Sequence, residues 1–147
     1  MSIQWRNELS IDKGFIDADH KHLLDIVNRF EREIDSEDGK TTLLHALSDL
    51  KLYTREHFRR EEAFQEDVGY PFRAKHAAEH RELECRLDTV IAHFKASVER
   101  GAYMPVAREV AGLLRDWLVQ HIIKSDLKLK EHIAITRNLL RHMGREY

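Results

Sequence analysis

The chain has 147 residues and a net charge of −2, because 24 lysine and arginine residues nearly balance 26 aspartate and glutamate residues. The two signs are interspersed, so the charge pattern does not favour binding to nucleic acid or to an anionic membrane surface. A chain of this length typically forms one domain that buries roughly 70% of its unfolded surface. We therefore expect residues 1–147 to form a single domain.

The sequence also predicts a cytoplasmic protein that does not insert into a membrane. No apolar run approaches the roughly 20 residues that a membrane-spanning helix needs. The first ten residues lack the apolar core of a secretion signal. Cys85 is the single cysteine, which excludes an internal disulfide and suits a reducing compartment. Only the ten histidines stand out in the composition.

The N-terminal third of the chain predicts an arm and two helices. Residues 1–17 lack sustained helical periodicity and are interpreted as an extended arm, pinned to the domain by Trp5. The first helix is expected to begin near Asp17 or Asp19, either of which is a good N-cap, and to run to about residue 35. A polar break at 36–39 separates it from a second helix over about 41–66.

Two more long helices and a shorter one follow. The third is predicted to start with Pro71 in its first turn and to close at Gly101, and the fourth to begin near Pro105. A last amphipathic segment covers about 127–142. Apolar residues spaced three and four apart, with short connections, predict an all-α, up-down-up-down antiparallel four-helix bundle. The expected divisions are an arm (1–17), a metal-binding bundle (18–126) and a C-terminal helical segment (127–147).

Polar side chains interrupt the apolar stripes towards one end of this bundle. Residues four apart on a helix share a face, so His57 pairs with Glu61, and His76 with His80. In an antiparallel bundle, the starts of the first and third helices lie beside the ends of the second and fourth. Seven candidate metal ligands therefore converge: His20, His57, Glu61, His76, His80, His121 and Asp126.

The number of ligands indicates two metal ions. Unpaired imidazoles and carboxylates are costly in a core, and metal binding is the simplest explanation for the cluster. Five imidazoles and two carboxylates exceed the needs of one ion. If Glu61 and Asp126 bridge two ions, with a solvent-derived oxide or hydroxide between them, a three-to-two division of the histidines leaves one coordination position vacant. Nitrogen and oxygen ligands in octahedral geometry suit iron, so we expect two iron ions.

The spacing between His121 and Asp126 does not fit a regular α-helix. Five steps of about 100° place the two side chains roughly 140° apart around the helix axis. A segment with i→i+5 hydrogen bonds would absorb the extra residue, and such segments recur at functional sites. We therefore expect a π-type turn or a helix break between His121 and Asp126; alternatively, the fourth helix ends there and Asp126 reaches in from a turn.

Five short motifs carry a resemblance to a known family. They are Asp17-x-x-His20-Lys21, His57-Phe58-x-x-Glu61-Glu62, Tyr70-Pro71, His76-x-x-x-His80 and Trp117-Leu118-x-x-His121-Ile122-x-x-x-Asp126. In type, order and spacing they resemble the bacterial single-domain hemerythrins, over nearly the whole chain.

The resemblance implies reversible dioxygen binding, for transport, storage or delivery, at a non-haem diiron centre. It implies that Glu61 and Asp126 bridge the two irons. By the same resemblance, His76, His80 and His121 hold the saturated iron, His20 and His57 hold the open one, and Trp117 and Leu118 line the dioxygen pocket. Two positions depart from the pattern: Gln65 stands where many relatives have methionine, and Leu129 where many have tyrosine.

Other functions remain open at this point. A ferritin-like diiron enzyme is disfavoured, because such sites use Glu-x-x-His pairs and no glutamate lies three residues before any histidine here. The chain is therefore expected not to be an enzyme. The alternatives are a dioxygen- or redox-sensing domain that acts on a signalling partner, and a diiron enzyme that acts on peroxide or nitric oxide.

Overall fold

A computed structural model describes residues 2–144. This part of the chain contains helices and no strands, which confirms the all-α prediction. The last three residues of the predicted segment 127–147, like Met1, lie outside the described residues. A short 3₁₀ turn at Asn7–Leu9 comes before α1 (Phe15–Arg32), α2 (Gly39–Asp67), α3 (Arg73–Glu99), α4 (Tyr103–Asp116) and α5 (Lys124–His142). Among these residues, no helix is both long and apolar enough to cross a membrane.

Helices α1 to α4 enclose the larger of two apolar clusters, consistent with a helical bundle. The smaller cluster packs α5 against the start of α1 through Ile11, Ile16, Tyr70, Leu129 and Ile133. Each of α1 to α4 packs against the next, and α4 returns to α1. Phe30 of α1 and Phe94 of α3 lie fully buried inside this ring, with their rings edge to face and 5.7 Å between centroids. The exclusion of these apolar faces from water is the main force that holds the four helices together.

Two glycines end the second and third helices in the same way. Gly69 (φ +65°) and Gly101 (φ +71°) adopt the left-handed conformation, which a side chain disfavours. After α2, Tyr70 N donates to Gln65 O at 2.9 Å and Gly69 N to Glu66 O at 3.1 Å. This double hydrogen bond satisfies the last carbonyls of the helix and turns the chain sharply, so that α3 begins beside the end of α2.

The N-cap prediction for α1 is wrong. Asp12 caps the helix: its Oδ1 accepts from Gly14 N (2.8 Å) and Asp17 N (3.1 Å), and its Oδ2 accepts from Ile16 N (3.1 Å). Asp17 instead accepts from Ile11 N at 2.7 Å, which holds the preceding turn. Asp19 points into the core. Helix α1 therefore starts earlier than expected, at Phe15.

The inward face of α4 also differs from the predicted one. The sequence spacing predicts that Val106, Val110, Leu113, Trp117 and His121 share the inward face of this helix, but Leu113 is 44% exposed. The buried residues of α4 are Ala107, Val110, Ala111 and Leu114. Both faces of α4 carry apolar residues at helical spacing, and the structure buries the face with two alanines, where α4 can approach its neighbours closely.

Candidate metal centre

Six of the seven predicted ligands meet in the buried core. In each of two overlapping groups of four, the potential ligand atoms lie within 4.8 Å of one another. The first group is His20, His57, Glu61 and Asp126, and the second is Glu61, His76, His80 and Asp126. Both groups contain Glu61 and Asp126, so the two carboxylates stand between two sets of histidines.

Four elements deliver these side chains. Helix α1 supplies His20, α2 supplies His57 and Glu61 one turn apart, α3 supplies His76 and His80, and the first turn of α5 supplies Asp126. None of the six is more than 5% exposed. The i, i+4 spacing on α2 and on α3 places each pair on one face, and the packing of the helices brings those faces together.

The Nε2 atoms of the four histidines converge on the two carboxylates. Asp126 Oδ2 lies 2.7 Å from His20 Nε2 and 3.3 Å from His57 Nε2, and Asp126 Oδ1 lies 2.9 Å from His76 Nε2. Glu61 Oε1 lies 3.2 Å from His80 Nε2 and 3.3 Å from His76 Nε2, and Glu61 Oε2 lies 3.3 Å from His57 Nε2. All four rings therefore direct the same nitrogen towards one space.

Two of the rings are held from behind by a further carboxylate. His57 Nδ1 lies 2.9 Å from Asp19 Oδ2, and His80 Nδ1 lies 3.0 Å from Glu62 Oε2. An ionised carboxylate only accepts hydrogen bonds, so it keeps a ring hydrogen on Nδ1. In the neutral imidazole that a metal would require, the Nε2 lone pair is then directed at the cluster. Histidines that bind metal almost always have such a partner. Asp19 and Glu62 are not among the site residues predicted from the sequence, although each is adjacent in sequence to a predicted ligand.

Asp19 is in turn held ionised by its surroundings. Burial would raise the pKa of this carboxyl, but hydrogen bonds from His57, from Arg60 and from Tyr53 lower it from 3.8 to about 2. Arg60 donates through Nε (3.0 Å) and Nη2 (2.9 Å), and Tyr53 Oη donates at 3.0 Å. Asp19 is therefore ionised at neutral pH.

The two sides of the cluster stabilise each other's charge. Burial would raise the pKa of Asp126, yet hydrogen bonds with His20, His57 and His76 hold it well below its usual range. Burial would likewise lower the pKa of His57, but its bonds to Asp126, to Asp19 and to Glu61 raise it well above the usual value. Asp126 is thus ionised at neutral pH, as a carboxylate that binds metal must be.

Several ligand atoms are left without hydrogen-bond partners. Within residues 2–144, His80 Nε2, Glu61 Oε2 and Asp126 Oδ1 are buried and make no hydrogen bond of good geometry, although each lies close to an atom of opposite charge in the cluster. Each buried polar atom of this kind costs about 1–3 kcal/mol. A cation can accept a lone pair from all of them at once, so these residues fit a pair of metal ions better than they fit one another.

His121 is the predicted ligand that the structure does not bring into the cluster. Its side chain is 39% exposed, and its Nε2 lies 3.4 Å from Asp116 Oδ2. His121 lies within the π-helical segment Trp117–Ile123, whose wider turn moves the side chain around the helix axis from the position that a regular α-helix would give it.

The connection between α4 and α5 is a π-helical segment, Trp117–Ile123. The expectation of a π-type turn is confirmed in kind, although the segment begins at Trp117 rather than after His121. The alternative, in which the helix ends and Asp126 lies in a turn, is wrong, because α5 continues directly from Lys124. The i→i+5 hydrogen bonds change the register by about one residue, and Asp126 consequently faces the cluster on the far side of the segment.

The two predicted pocket residues lie beside each other in the core. Trp117 is 3% exposed and donates from Nε1 to Leu83 O at 3.0 Å, and Leu118 is fully buried. An open cavity of about 430 Å³ lies elsewhere, against the outer edge of His76, and Tyr70 and Phe72 form part of its wall. The lining role of Trp117 and Leu118 stays a prediction.

Comparison with known proteins identifies similar sequences over most of the chain. The family model described as "Hemerythrin HHE cation binding domain" matches residues 14–133. A bacteriohemerythrin of Pseudomonas aeruginosa (strain LESB58) is 30% identical over 124 residues, which are 83% of this chain and 75% of that protein. One of Stenotrophomonas maltophilia (strain R551-3) is 26% identical over 134 residues, 91% of this chain and 83% of that protein. One of Campylobacter jejuni subsp. jejuni (serotype O:23/36, strain 81-176) is 24% identical over 125 residues, 84% and 90%.

The low pKa of Asp19 predicts a pH-dependent contribution to stability. A carboxyl whose pKa falls from 3.8 to about 2 on folding stabilises the protein above pH 3.8, and loses this effect as the pH falls towards 2. In metal-free protein, Asp19→Asn should lower the free energy of unfolding by roughly 2 kcal/mol at pH 6, and by progressively less between pH 4 and pH 2. Urea unfolding followed by circular dichroism measures this difference, with Asp25→Asn, an exposed position on the same helix, as the control. A loss that stays constant with pH would contradict the assignment.

The π-helical segment predicts that a one-residue deletion removes Asp126 from the cluster. Deletion of Val119 should restore i→i+4 hydrogen bonding and rotate α5 by about 100° relative to α4. The helix content should stay unchanged by circular dichroism, while the metal bound per chain falls sharply. Deletion of Glu37, in the turn between α1 and α2, is the matched control and should leave bound metal unchanged. Equal metal content in the two variants would show that the segment does not position Asp126.

Proposed function

The chain belongs to the hemerythrin family, and on that premise we propose that it binds dioxygen reversibly at a non-haem diiron centre. The observation that carries the proposal is the pair of four-residue groups that share Glu61 and Asp126. Carboxylates placed between two sets of imidazoles are suited to bridging two cations. The mixture of nitrogen and oxygen donors, without thiolates, favours iron among the common metals.

The residues would divide between the two irons as the two groups do. His20 and His57 would hold one ion, His76 and His80 the other, and the carboxylates would bridge. Reduced iron supplies the electrons and the open coordination position that dioxygen binding needs. The protein contributes rigid ligands, with Asp19 and Glu62 holding His57 and His80 from behind, and buried surroundings that exclude water.

We propose that His121 turns inwards and becomes a ligand when metal binds. It borders a surface recess that also contains Leu83 and Ser125, next to the α3 face that carries His76 and His80. Its present contact with Asp116 is long and partly exposed to solvent, so little stability is lost when it breaks. The π-helical segment in which His121 lies is the part of the chain where a change of register is easiest.

The apolar wall of the open position is assigned to Trp117 and Leu118. Both are buried in the core cluster, and the indole is anchored by its hydrogen bond to Leu83 O. These two buried apolar side chains would exclude bulk water from the bound dioxygen and slow the oxidation of the irons. Carriage or storage of dioxygen, rather than oxidation of a substrate, suits a site with five neutral imidazoles and only two carboxylates.

We further infer that α1 to α4 alternate in direction, as an up-down-up-down bundle. Arg29, late in α1, pairs with Asp49, early in α2, and Asp19, early in α1, pairs with His57, late in α2. The same reversed order occurs in the contacts that join α2 to α3 and α3 to α4: Lys51–Asp88, Glu62–His80, His93–Glu109 and Trp117–Leu83.

The residues before α1 are proposed to form an arm that lies along this helix. Ile3 N donates to Asn28 Oδ1 (2.8 Å), and Asn28 Nδ2 donates to Ile3 O (2.9 Å). Lys21 Nζ lies 5.0 Å from the centre of the Trp5 ring. With the arm attached in this way, residues 1–147 are proposed to act as a single domain.

The exposed free thiol of Cys85 supports a location in the reducing cytoplasm.

The proposal predicts two irons per chain and a reversible optical change. Protein from iron-replete cells, reduced and exposed to air, should change its visible spectrum and return to the reduced spectrum when the gas is removed. Glu61→Ala should reduce the content of both irons together, because this carboxylate belongs to both groups. One iron per chain, or stoichiometric zinc, would contradict the centre. Steady turnover of peroxide or nitric oxide would indicate an enzyme in place of a carrier.

The inward movement of His121 has its own test. His121→Gln should lower the iron content or speed the loss of iron to a chelator, whereas His93→Gln should change neither. His93 is the matched control, because it too is a partly exposed histidine, 3.5 Å from an acidic side chain, Glu109. If the two variants retain iron equally well, the six buried residues are sufficient and His121 is not a ligand.

A further inference from the structure

A cleft between the N-terminal arm and α5 collects four cationic side chains. Its volume is about 810 Å³, which lies within the range of small-molecule sites. The arm and the turn after it form one wall, the start of α1 forms the second, and α5 forms the third. The residues that line the cleft do not include any of the proposed metal ligands. All three walls contribute to the set of cations, which is Lys13, Lys21, Lys130 and Arg137.

Within residues 2–144, none of these four cations forms an ion pair with a carboxylate. Lys21 Nζ lies 5.0 Å from the centre of the Trp5 ring. Arg137 Nη2 donates to the backbone oxygen of Asp12 at 3.3 Å, which leaves most N–H groups of the guanidinium unused. The cleft therefore presents cationic groups that are free to bind an anion.

Two carboxylates also line the cleft, but they are directed at the backbone. Asp12 and Asp17 are each 6% exposed. Asp12 accepts hydrogen bonds from three backbone N–H groups, and Asp17 from two backbone N–H groups and the hydroxyl of Ser10. By contrast, the three lysines of the cleft are exposed. The surface that a ligand would meet is therefore mainly positive.

Apolar side chains separate the two cations of the α5 wall. Lys130 and Arg137 lie seven residues apart, about two turns and roughly 10 Å along one face of the helix. Ile133 and Ala134 lie between them and line the cleft. On the arm side, the half-buried ring of Trp5 adds a planar aromatic surface. The cleft thus combines apolar and aromatic surface with cations around it.

Lys13 adopts a backbone conformation that a lysine disfavours. Its φ is +54°, and it is the only residue other than glycine with a positive φ in the described part of the chain. A glycine would adopt this conformation without the clash of a Cβ atom. The strained backbone is held in place because Lys13 N donates to Asp17 Oδ2 at 3.1 Å. A lysine at this position costs stability, and function is a common reason for such a cost.

We propose that this cleft binds a small phosphorylated anion that carries a planar ring, which is the chemistry of a nucleotide. The guanidinium of Arg137 offers a fork of N–H donors that matches two phosphate oxygens, and the lysines add point charges. The ring of Trp5 offers a surface on which a base can stack. Because these residues are separate from the proposed metal ligands, the site does not depend on the metal centre.

The shape and the overall charge of the protein favour a small ligand over a larger anionic surface. The cationic side chains surround a recess that is walled on three sides, whereas a membrane would need them on an open face. The chain as a whole carries a net charge of −2, so no long-range field attracts a polyanion. Contacts inside the recess must therefore select the ligand.

Isothermal titration calorimetry of the full chain as purified tests the site, with adenosine diphosphate, pyrophosphate and adenosine as probes. Adenosine diphosphate should bind most tightly, because it alone uses both the cations and the Trp5 ring. The iron content and the visible spectrum should stay unchanged during the titration. A change in either would place the probe at the metal centre and overturn the proposal. Equally tight binding of a tetraglutamate peptide would show a general attraction for anions, and would also overturn it.

Substitutions in two walls separate the phosphate contacts from stacking. Lys130→Gln and Arg137→Gln should each weaken the binding of adenosine diphosphate by about five- to tenfold. Lys95→Gln, at an exposed position on α3 outside the cleft, is the matched control and should have no effect. Trp5→Leu should weaken the binding of adenosine diphosphate by about tenfold and leave pyrophosphate unchanged. If Trp5→Leu weakens neither probe, or both equally, no ring stacks on Trp5 and the ligand assignment is wrong.

Lys13→Gly separates binding from folding. Glycine relieves the disfavoured φ, so this variant should unfold at the same or a higher temperature than the wild type. Its affinity for pyrophosphate should nevertheless fall by about fivefold, because one cation of the cleft is lost. Unchanged affinity would exclude Lys13 from the site. A lower melting temperature together with weaker binding would show that Lys13 supports the fold and not the ligand.

Discussion

Two buried carboxylates, Glu61 and Asp126, set the constraint on which the rest of the structure depends. Placed in a core without partners, two such anions would be too costly for the fold. Imidazoles from α1, α2 and α3 surround them, and α5 must arrive with Asp126 turned inwards. The fold therefore has to deliver four elements to one point in a fixed rotation. Behind the imidazoles come further carboxylates and then arginines, so the sign of charge alternates from the centre to the surface.

The bundle divides into an apolar part that holds it together and a polar part that binds. Phe30 and Phe94 pack in the half where the polar ligands are absent, and their burial provides stability that does not depend on metal. At the other end, the orphaned Nε2 and carboxylate oxygens cost stability until a cation is present. The residues that stabilise the bundle and the residues that bind metal thus lie at opposite ends of the helices. The metal-binding end can therefore hold unpaired polar atoms without unfolding the protein.

The sequence predicts the all-α class and the meeting of six ligands, because i, i+4 spacing and short connections determine which side chains share a face. It fails where two alternatives have the same pattern. The apolar pattern is compatible both with a regular α-helix and with a π-helix that begins at Trp117, and the π-helical register leaves His121 outside. Asp19 reads equally well as an N-cap, and its contact with His57 depends on the rotation of two helices. The contact between Gln65 and His76 joins α2 to α3, and spacing along one helix does not reveal it.

The alternation of charge around the centre has a consequence for the salt dependence of the site. Arg60 and Arg81 donate hydrogen bonds to Asp19 and Glu62 and are 42% and 53% exposed. The imidazoles that contact the same two carboxylates from the inside are buried. Dissolved ions screen exposed charges over about 8 Å at physiological ionic strength but act much less on buried ones. Rising ionic strength would therefore release the arginines first and leave the inner contacts in place. The exposed arginines can thus lose their ion pairs with Asp19 and Glu62 while the buried histidines keep their positions.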